Sequence, residues 1–212
     1  ANYSVEGITD KKLLKFLDFY KLYQEELQKN NLIDYDDILL LSVKLLEENP
    51  DILAYYQDVC EFIIEDEAQD SSVVQQRLLK LLSGKHGNLI RCGDINQAIT
   101  TTFSNADVEG FREFIATAQT RVSMNRSQRC AQGVMDCANN LVEYGKKVLP
   151  SAFFDIQMRG VDGKNPVSEN PIVKKVFDST QDERNYILRT IKNIFAENKN
   201  ATVGLLLRAN YQ

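Results

Sequence analysis

Several features that reveal the class of a protein at a glance are absent from this chain of 212 residues. None of its apolar runs approaches the ~20 residues that a bilayer-spanning helix requires, and its start shows no signal-peptide pattern. Its single histidine, His86, lies in a turn bounded by Gly84 and Gly87, which disfavours a histidine general base. We therefore expect a cytoplasmic protein with no membrane partner.

Paired cysteines are also absent. The four cysteines, which are Cys60, Cys92, Cys130 and Cys137, form neither a CxxC pair nor a set with a nearby histidine. Cys60 and Cys92 border predicted strands, where a free thiol behaves as a small buried hydrophobe. We expect all four to be reduced residues in or near the core, with a structural zinc site as the alternative.

The chain also lacks an excess of positive charge. The chain has 25 Lys and Arg against 30 Asp and Glu, a net charge of -5 and a pI near 5.1. A free-standing nucleic-acid binder usually presents a basic face, so any contact with a nucleic acid would need locally concentrated Lys and Arg. The hydrophobic content of 43% is ordinary for a globular protein, and the length permits one large domain or two small ones.

The most informative stretch is EFIIEDEAQD, from Glu61 to Asp70. Its apolar run, residues 62–64, leads into acids at 65, 66, 67 and 70, which predicts a buried strand that ends in a carboxylate cluster. Such a cluster suits Mg²⁺, which takes oxygen ligands and keeps waters that can bridge to phosphates. The alternative is a solvated strand-to-helix turn, because an acid at a helix start caps free N–H groups and favours the helix dipole.

A second apolar run, residues 88–92, ends in Gly93 and Asp94, with Gln97 three residues further on. A helix predicted over residues 71–83 joins the two runs. This order indicates neighbouring strands of a parallel sheet, whose carboxyl ends share one crevice. Periodicity predicts further helices from Asp10, over 34–48, from Pro50, over 108–118, through 134–141 and over 182–196, and strands over 120–124, 172–177 and 202–207.

Four segments carry a resemblance to a known family. DEAQD at 66–70, GDINQAI at 93–99, and NRS at 125–127 leading to a helix at 138–141 resemble motifs II, III and IV of superfamily 1 DNA helicases of the UvrD/Rep type. The closing segment, residues 207–212, resembles a later strand of that family. The motifs occur in family order. The resemblance implies an α/β, RecA-like P-loop NTPase fold, in which a parallel sheet is flanked by helices in two partial domains. It also implies ATP and Mg²⁺ as cofactors and single-stranded or duplex DNA as partner.

The resemblance also implies roles for particular residues. Asp66 and Glu67 would hold Mg²⁺, and Glu67 would orient or deprotonate the attacking water. Gln69, Gln97 and Arg126 would lie near the γ-phosphate, Arg126 reaching it from the second domain. An arginine suits that task because its planar fork stays charged and can bond two oxygens.

The chain departs from the family pattern in three places. Thr100 and Ser104 stand where motif III usually has tyrosine and arginine, which leaves Phe103 as the aromatic residue that could stack a base. Motif IV lacks the tyrosine between Asn125 and Arg126. No GxxxxGK(S/T) phosphate loop occurs in the 212 residues, although the family places one well before motif II.

These departures predict an internal fragment of a longer helicase. Residues 1–60 would be a helical segment that ends the 1B insertion and returns to domain 1A. Residues 61–118 would be the later part of domain 1A, and residues 119–212 the first part of domain 2A. The fragment itself is expected to be inactive.

Two other interpretations remain open. The chain could be a non-catalytic RecA-like interaction module that has lost its phosphate loop. It could also be a metal-dependent nuclease or phosphatase, which would need acids converging from more strands than the sequence offers.

Overall fold

The computed structural model describes residues 10–98, 105–168 and 172–207, and within them the chain is a mixed α/β protein with small parallel sheets. Two compact units are present, Ala1–Asn125 with Asn139–Gln157, and Arg126–Ala138 with Met158–Gln212. The helices in the described ranges are α1 (Lys11–Lys29), α2 (Tyr35–Glu48), α3 (Pro50–Val59), α4 (Val73–Ser83), α5 (Val108–Thr117), α6 (Gln132–Val148) and α7 (Thr180–Glu197). The strands are β1 (Ile63–Glu65), β2 (Leu89–Arg91), β3 (Arg126–Ser127) and β4 (Arg159–Gly160).

The first helices begin where the sequence supplies capping groups. The Asp10 side chain accepts a hydrogen bond from the backbone N–H of Lys12 at 2.8 Å and starts α1. Asp34 and Asp37 form a capping box at the start of α2, with Asp37 N–H donating to Asp34 at 2.8 Å and Asp34 N–H donating to Asp37 at 3.2 Å. Both helices therefore begin at acidic side chains that act as caps.

Asp34 also ties α1 to α2, because the Tyr23 hydroxyl donates a hydrogen bond to its carboxylate at 3.0 Å. The hydrogen bond from the Asp37 backbone, and secondarily that from Tyr23, holds the pKa of Asp34 below its usual value. A carboxyl with a lowered folded pKa contributes stability above its unfolded pKa, and this contribution is lost as the pH falls through the folded value.

We therefore expect the Asp34→Asn variant, which can still cap α2, to have a lower melting temperature than wild type near neutral pH. The difference should shrink below roughly pH 4, where the wild-type carboxylate begins to take up its proton. Thermal unfolding followed by circular dichroism from pH 7 to pH 2.5 measures it. Asp18→Asn, on the exposed face of α1, is the control for loss of one charge. A gap that stays constant over the whole pH range would contradict the prediction.

The sheet of the first unit is the element that positions the site. β1 and β2 pair in parallel, with Ile63 opposite Leu89, Ile64 opposite Ile90, and Glu65 opposite Arg91. Helix α4 connects the two strands and contacts α2, α3 and β1. The prediction that the two apolar runs form neighbouring parallel strands is confirmed.

The core of the first unit lies at the carboxyl ends of these strands. Ala68, Ile95 and Phe111 are buried there, and Phe111 enters from α5. Four partly buried side chains pack against this cluster, namely Val108, Phe114, Ile115 and Phe154. Since Ala68 follows β1 and Ile95 follows β2, the residues after both strands share one hydrophobic support.

The second unit contains β3 and β4, which pair in parallel with Arg126 opposite Arg159 and Ser127 opposite Gly160. The Asn165 amide donates to the carbonyl oxygens of Ser127 at 2.8 Å and Cys130 at 2.7 Å. Ala131 and Met135, which follow Cys130 in the chain, are buried. The three-part division proposed from the sequence stays a prediction, and it differs from the two compact units in where it places residues 119–125 and 139–157.

Some predicted strands and burial states were wrong. The strand predicted over residues 120–124 is absent, and pairing begins only at Arg126. The runs 172–177 and 202–207 are also not strands, because within the described residues neither run has a neighbouring strand to pair with. The four cysteines are free, but Cys92 and Cys137 are exposed instead of lying in or near the core, and Cys60 and Cys130 are partly buried. No helix in the described ranges has the length and apolar character needed to cross a membrane.

Candidate functional site

The site is built by two chain segments that leave neighbouring strands. Beyond β1 and β2 the backbones remain hydrogen-bonded, because Cys92 N–H donates to Glu65 O at 2.8 Å and Ala68 N–H donates to Cys92 O at 2.9 Å. These bonds hold Asp66 and Glu67 on one segment close to Asp94 on the other. The chain segments that follow β1 and β2 are therefore neighbours, while a crevice shared by the acids of both segments stays a prediction.

Glu67 has a left-handed backbone, with φ 52° and ψ 42°. Residues other than glycine seldom adopt this conformation, which carries a conformational cost and is frequent at functional sites. The turn is held by a 3₁₀ helix, Ala68–Asp70, and by the Asp66 carboxylate, which accepts the Glu67 N–H at 3.0 Å. The side chains of Asp66 and Glu67 both remain exposed.

Gln69 joins the two segments. Its side chain lies in the core and only 2% of the residue is exposed. The amide Nε2 donates to the Glu67 carboxylate at 2.8 Å, while Oε1 accepts the backbone N–H of Asp94 at 2.9 Å. The orientation of the Glu67 carboxylate is therefore tied to the position of Asp94.

The hydrogen bonds continue to Gln97. The Asp94 carboxylate accepts from the Asn96 N–H at 2.9 Å and from the Gln97 amide at 2.8 Å. Glu67, Gln69, Asp94 and Gln97 thus form one connected network, in which Asp94 also caps the 3₁₀ helix Ile95–Gln97. The family resemblance implies that Gln69 and Gln97 lie near a γ-phosphate. In the structure, the Gln69 amide donates to Glu67 and the Gln97 amide donates to Asp94.

Gly93 is required by the close packing at this point. A Cβ atom built on Gly93 would lie 2.7 Å from Gln69 Oε1 and 2.9 Å from the Phe111 ring. Real Cβ atoms do not approach other heavy atoms so closely, so any side chain at position 93 would displace Gln69 or Phe111. The ring of Phe111 therefore supports the strand end that carries Asp94.

An open cleft of about 460 Å³ lies beside the acids and is lined by residues that include Asp66, Glu67 and Asp70. Its carboxylate oxygens are the hard ligands that Mg²⁺ prefers, so the donor chemistry fits this ion. Among the described residues, no group of three or more His, Cys, Asp or Glu side chains is arranged to hold a metal ion. Asp66 and Glu67 would supply two ligands, and a phosphate substrate with waters could supply the others.

Arg126 belongs to the second unit, at the start of β3, and its side chain is exposed. The backbone around it is fixed by Asn165 and by the Ser127 hydroxyl, which accepts the Arg129 N–H at 3.2 Å. Phe103, the predicted base-stacking residue, lies outside the described residues.

Sequence analysis missed a charged pair beside the site. Arg91, the last residue of β2, forms an ion pair with Glu65, the last residue of β1. The side chains are 4% and 12% exposed, respectively. In the sequence, Glu65 and Arg91 are an acid and a base at the ends of two apolar runs. Only the register of β1 and β2 shows that the two side chains meet.

The fold and the site define a mixed α/β protein with linked polar side chains at the carboxyl ends of neighbouring parallel strands. The family model described as "UvrD/REP helicase N-terminal domain" matches residues 3–119. Because the match covers more than half of the chain, the chain belongs to the UvrD/REP helicase family.

Several proteins named "ATP-dependent DNA helicase PcrA" are similar to the chain. The protein of Staphylococcus epidermidis is 28% identical over 197 residues, which cover 91% of this chain and 26% of the relative. That of Leuconostoc citreum is 27% identical over 179 residues, with 84% and 23% covered. That of Staphylococcus aureus is 29% identical over 144 residues, with 66% and 20% covered. The chain spans about a quarter of the length of these relatives.

Proposed function

We propose that the chain is part of an ATP-dependent DNA helicase of superfamily 1, in which ATP hydrolysis drives movement along single-stranded DNA, in the 3′→5′ direction. The observation that carries this proposal is the network of Glu67, Gln69, Asp94 and Gln97 at the ends of neighbouring parallel strands, in a chain that belongs to the UvrD/REP family. The names of the relatives, which describe ATP-dependent DNA helicases, support it.

In this proposal the chain is the internal fragment described above, of RecA-like fold, with residues 61–118 in domain 1A and 119–212 in domain 2A. The end of the family match at residue 119 supports that boundary. The full-length protein would be cytoplasmic and would bind single-stranded or duplex DNA, with Phe103 stacking on a base.

The proposed chemistry is phosphoryl transfer to water, in which positioning and charge neutralisation supply most of the catalysis. Asp66 and Glu67 would hold Mg²⁺, which when bound neutralises charge on the phosphate oxygens. The Glu67 carboxylate orients the attacking water and takes a proton from it. The hydrogen bond from Gln69 keeps this carboxylate facing the cleft. Gln97 would contact the γ-phosphate, and Arg126 would stabilise the developing negative charge.

The proposal predicts that the full-length protein hydrolyses ATP and that single-stranded DNA raises its kcat by tenfold or more, on the order of the changes that assembly of a phosphoryl-transfer site produces. Phosphate release is measured with and without an oligonucleotide, and strand separation is measured on duplexes with a 3′ or a 5′ tail. Unwinding of only the 3′-tailed duplex is the expected result.

Failure to hydrolyse ATP under any DNA condition would contradict the proposal and would favour the non-catalytic interaction module. Unwinding of only the 5′-tailed duplex would leave the helicase assignment in place and overturn the proposed polarity.

A further inference from the structure

A buried ion pair lies directly behind the proposed catalytic network. The guanidinium of Arg91 pairs with the Glu65 carboxylate across the β1–β2 register. Removing two charges from water is costly, and two apolar side chains of similar volume are often at least as stable at such positions. The desolvation cost of the Arg91–Glu65 pair therefore favours a role other than stabilising the fold.

Arg91 contacts three elements besides its own strand. Its Nη1 donates to the Gln76 side chain of α4 at 3.0 Å. Its guanidinium carbon lies 5.1 Å from the ring centroids of both Phe111 and Phe114, on α5. Cations at this distance from aromatic faces are attracted by the rings. Arg91 therefore links β1, α4 and α5 through one side chain.

Gln76 extends this linkage to the start of α5. Its amide donates to the carbonyl oxygen of Asp107 at 2.8 Å, and Asp107 caps α5 by accepting the Gly110 N–H at 3.0 Å. Asp107 N–H in turn donates to Ser71 O at 2.8 Å, just after the acidic turn. Arg91 and Gln76 thus fix α5 against both segments that build the site.

Phe111 connects α5 to the strand end that carries Asp94. The Phe111 ring lies under Gly93 so closely that no Cβ would fit between them. Gly93 precedes Asp94, whose N–H is bound by Gln69, and Gln69 in turn holds Glu67. A displacement of Phe111 would therefore displace Asp94, then Gln69, and then the Glu67 carboxylate.

We propose that Arg91, with Glu65 as its counter-ion, is a positioning residue that sets the orientation of the Glu67 carboxylate through Phe111, Asp94 and Gln69. The proposal deepens the proposed function and rests on it for the effect on ATP hydrolysis. The Nη2 atom of Arg91 is buried and has no hydrogen-bond partner among the described residues. The Nε and Nη1 atoms of the same guanidinium donate to Glu65 and Gln76, respectively.

The decisive variant is the double substitution Glu65→Met with Arg91→Met in the full-length protein. It replaces both charges with apolar side chains of similar length, so the fold should be retained. We expect kcat for ATP to fall about ten- to a hundredfold, as for small displacements of a catalytic group, while KM stays within about twofold because the nucleotide contacts are unchanged. Glu47→Met with Arg77→Met, which removes an exposed ion pair between α2 and α4, should leave kcat unchanged.

Hydrogen exchange provides a readout that does not depend on ATP. Peptides that cover residues 88–98 should exchange faster in the Glu65→Met, Arg91→Met variant than in wild type, because the Asp94 N–H loses its fixed partner. The Glu47→Met, Arg77→Met control should show wild-type exchange. If the double variant does not fold, Arg91→Lys decides the matter, because lysine keeps the charge but lacks the planar fork that reaches Glu65 and Gln76 together. The lysine variant is expected to show the same two changes.

Wild-type kcat together with wild-type exchange in a folded variant would overturn the inference. If wild type hydrolyses ATP and Glu67→Gln does not, the proposed function stands, and wild-type behaviour of the Arg91 variants overturns the positioning role alone. If wild type does not hydrolyse ATP, the proposed function fails, and the exchange rate of residues 88–98 still decides whether Arg91 fixes this strand end.

Discussion

Replacing Glu67 with glutamine should reduce ATP hydrolysis by the full-length protein about a hundred- to ten-thousandfold, the usual effect of losing a positioned general base. Glutamine has nearly the same shape, and its side-chain oxygen can still accept the hydrogen bond that Gln69 donates to Glu67. The substitution therefore removes the proton acceptor without dismantling the network. Nucleotide affinity should be retained, because the glutamine oxygen can still coordinate Mg²⁺ beside Asp66 and one negative charge facing the phosphates is lost.

The measurements are steady-state phosphate release and equilibrium binding of Mg-ATP, made on the same preparation. Glu61→Gln is the matched control, since Glu61 belongs to the same acidic stretch but precedes β1 and is exposed. It should hydrolyse ATP at the wild-type rate. Turnover by Glu67→Gln within a factor of about three of wild type would be too small a change for loss of a general base, and would remove Glu67 from its proposed role.

The parts of the site that could be predicted from the sequence depend on local pattern. An apolar run followed by acids predicts where a strand ends, and two such runs joined by a helix predict neighbouring parallel strands. Both inferences agree with the pairing of β1 and β2. The caps at Asp10 and Asp34 were also predictable, because a capping side chain bonds N–H groups only two or three residues away.

The parts that could not be predicted depend on partners distant in the chain. Gln69 accepts a hydrogen bond from Asp94, 25 residues later, and nothing in DEAQD shows that this glutamine is buried. Arg91 appeared to be an ordinary polar end of an apolar run until the register placed it opposite Glu65. The runs 172–177 and 202–207 show the converse error, because strand propensity alone does not supply a neighbouring strand.

The second large effect concerns the 212-residue chain by itself, which should neither bind Mg-ATP with micromolar affinity nor hydrolyse it. The sequence contains no GxxxxGK(S/T) loop, whose backbone N–H groups and lysine would cradle the β- and γ-phosphates. The cleft beside β1 instead presents Asp66, Glu67 and Asp70 to a polyanionic ligand. Like charges repel unless Mg²⁺ bridges them, and Mg²⁺ depends on substrate phosphates for much of its own binding.

Calorimetry of Mg-ATP against the purified chain, together with a phosphate-release assay, tests this expectation. The full-length protein, measured in parallel, is the positive control, and it should bind and hydrolyse ATP under the same conditions. Arg126 does not replace the missing cradle, because one guanidinium cannot supply the several donors that a phosphate loop offers. Micromolar binding by the isolated chain, or turnover that Glu67→Gln abolishes, would mean that the carboxylate cleft and the residues around it form a complete nucleotide site without a phosphate loop.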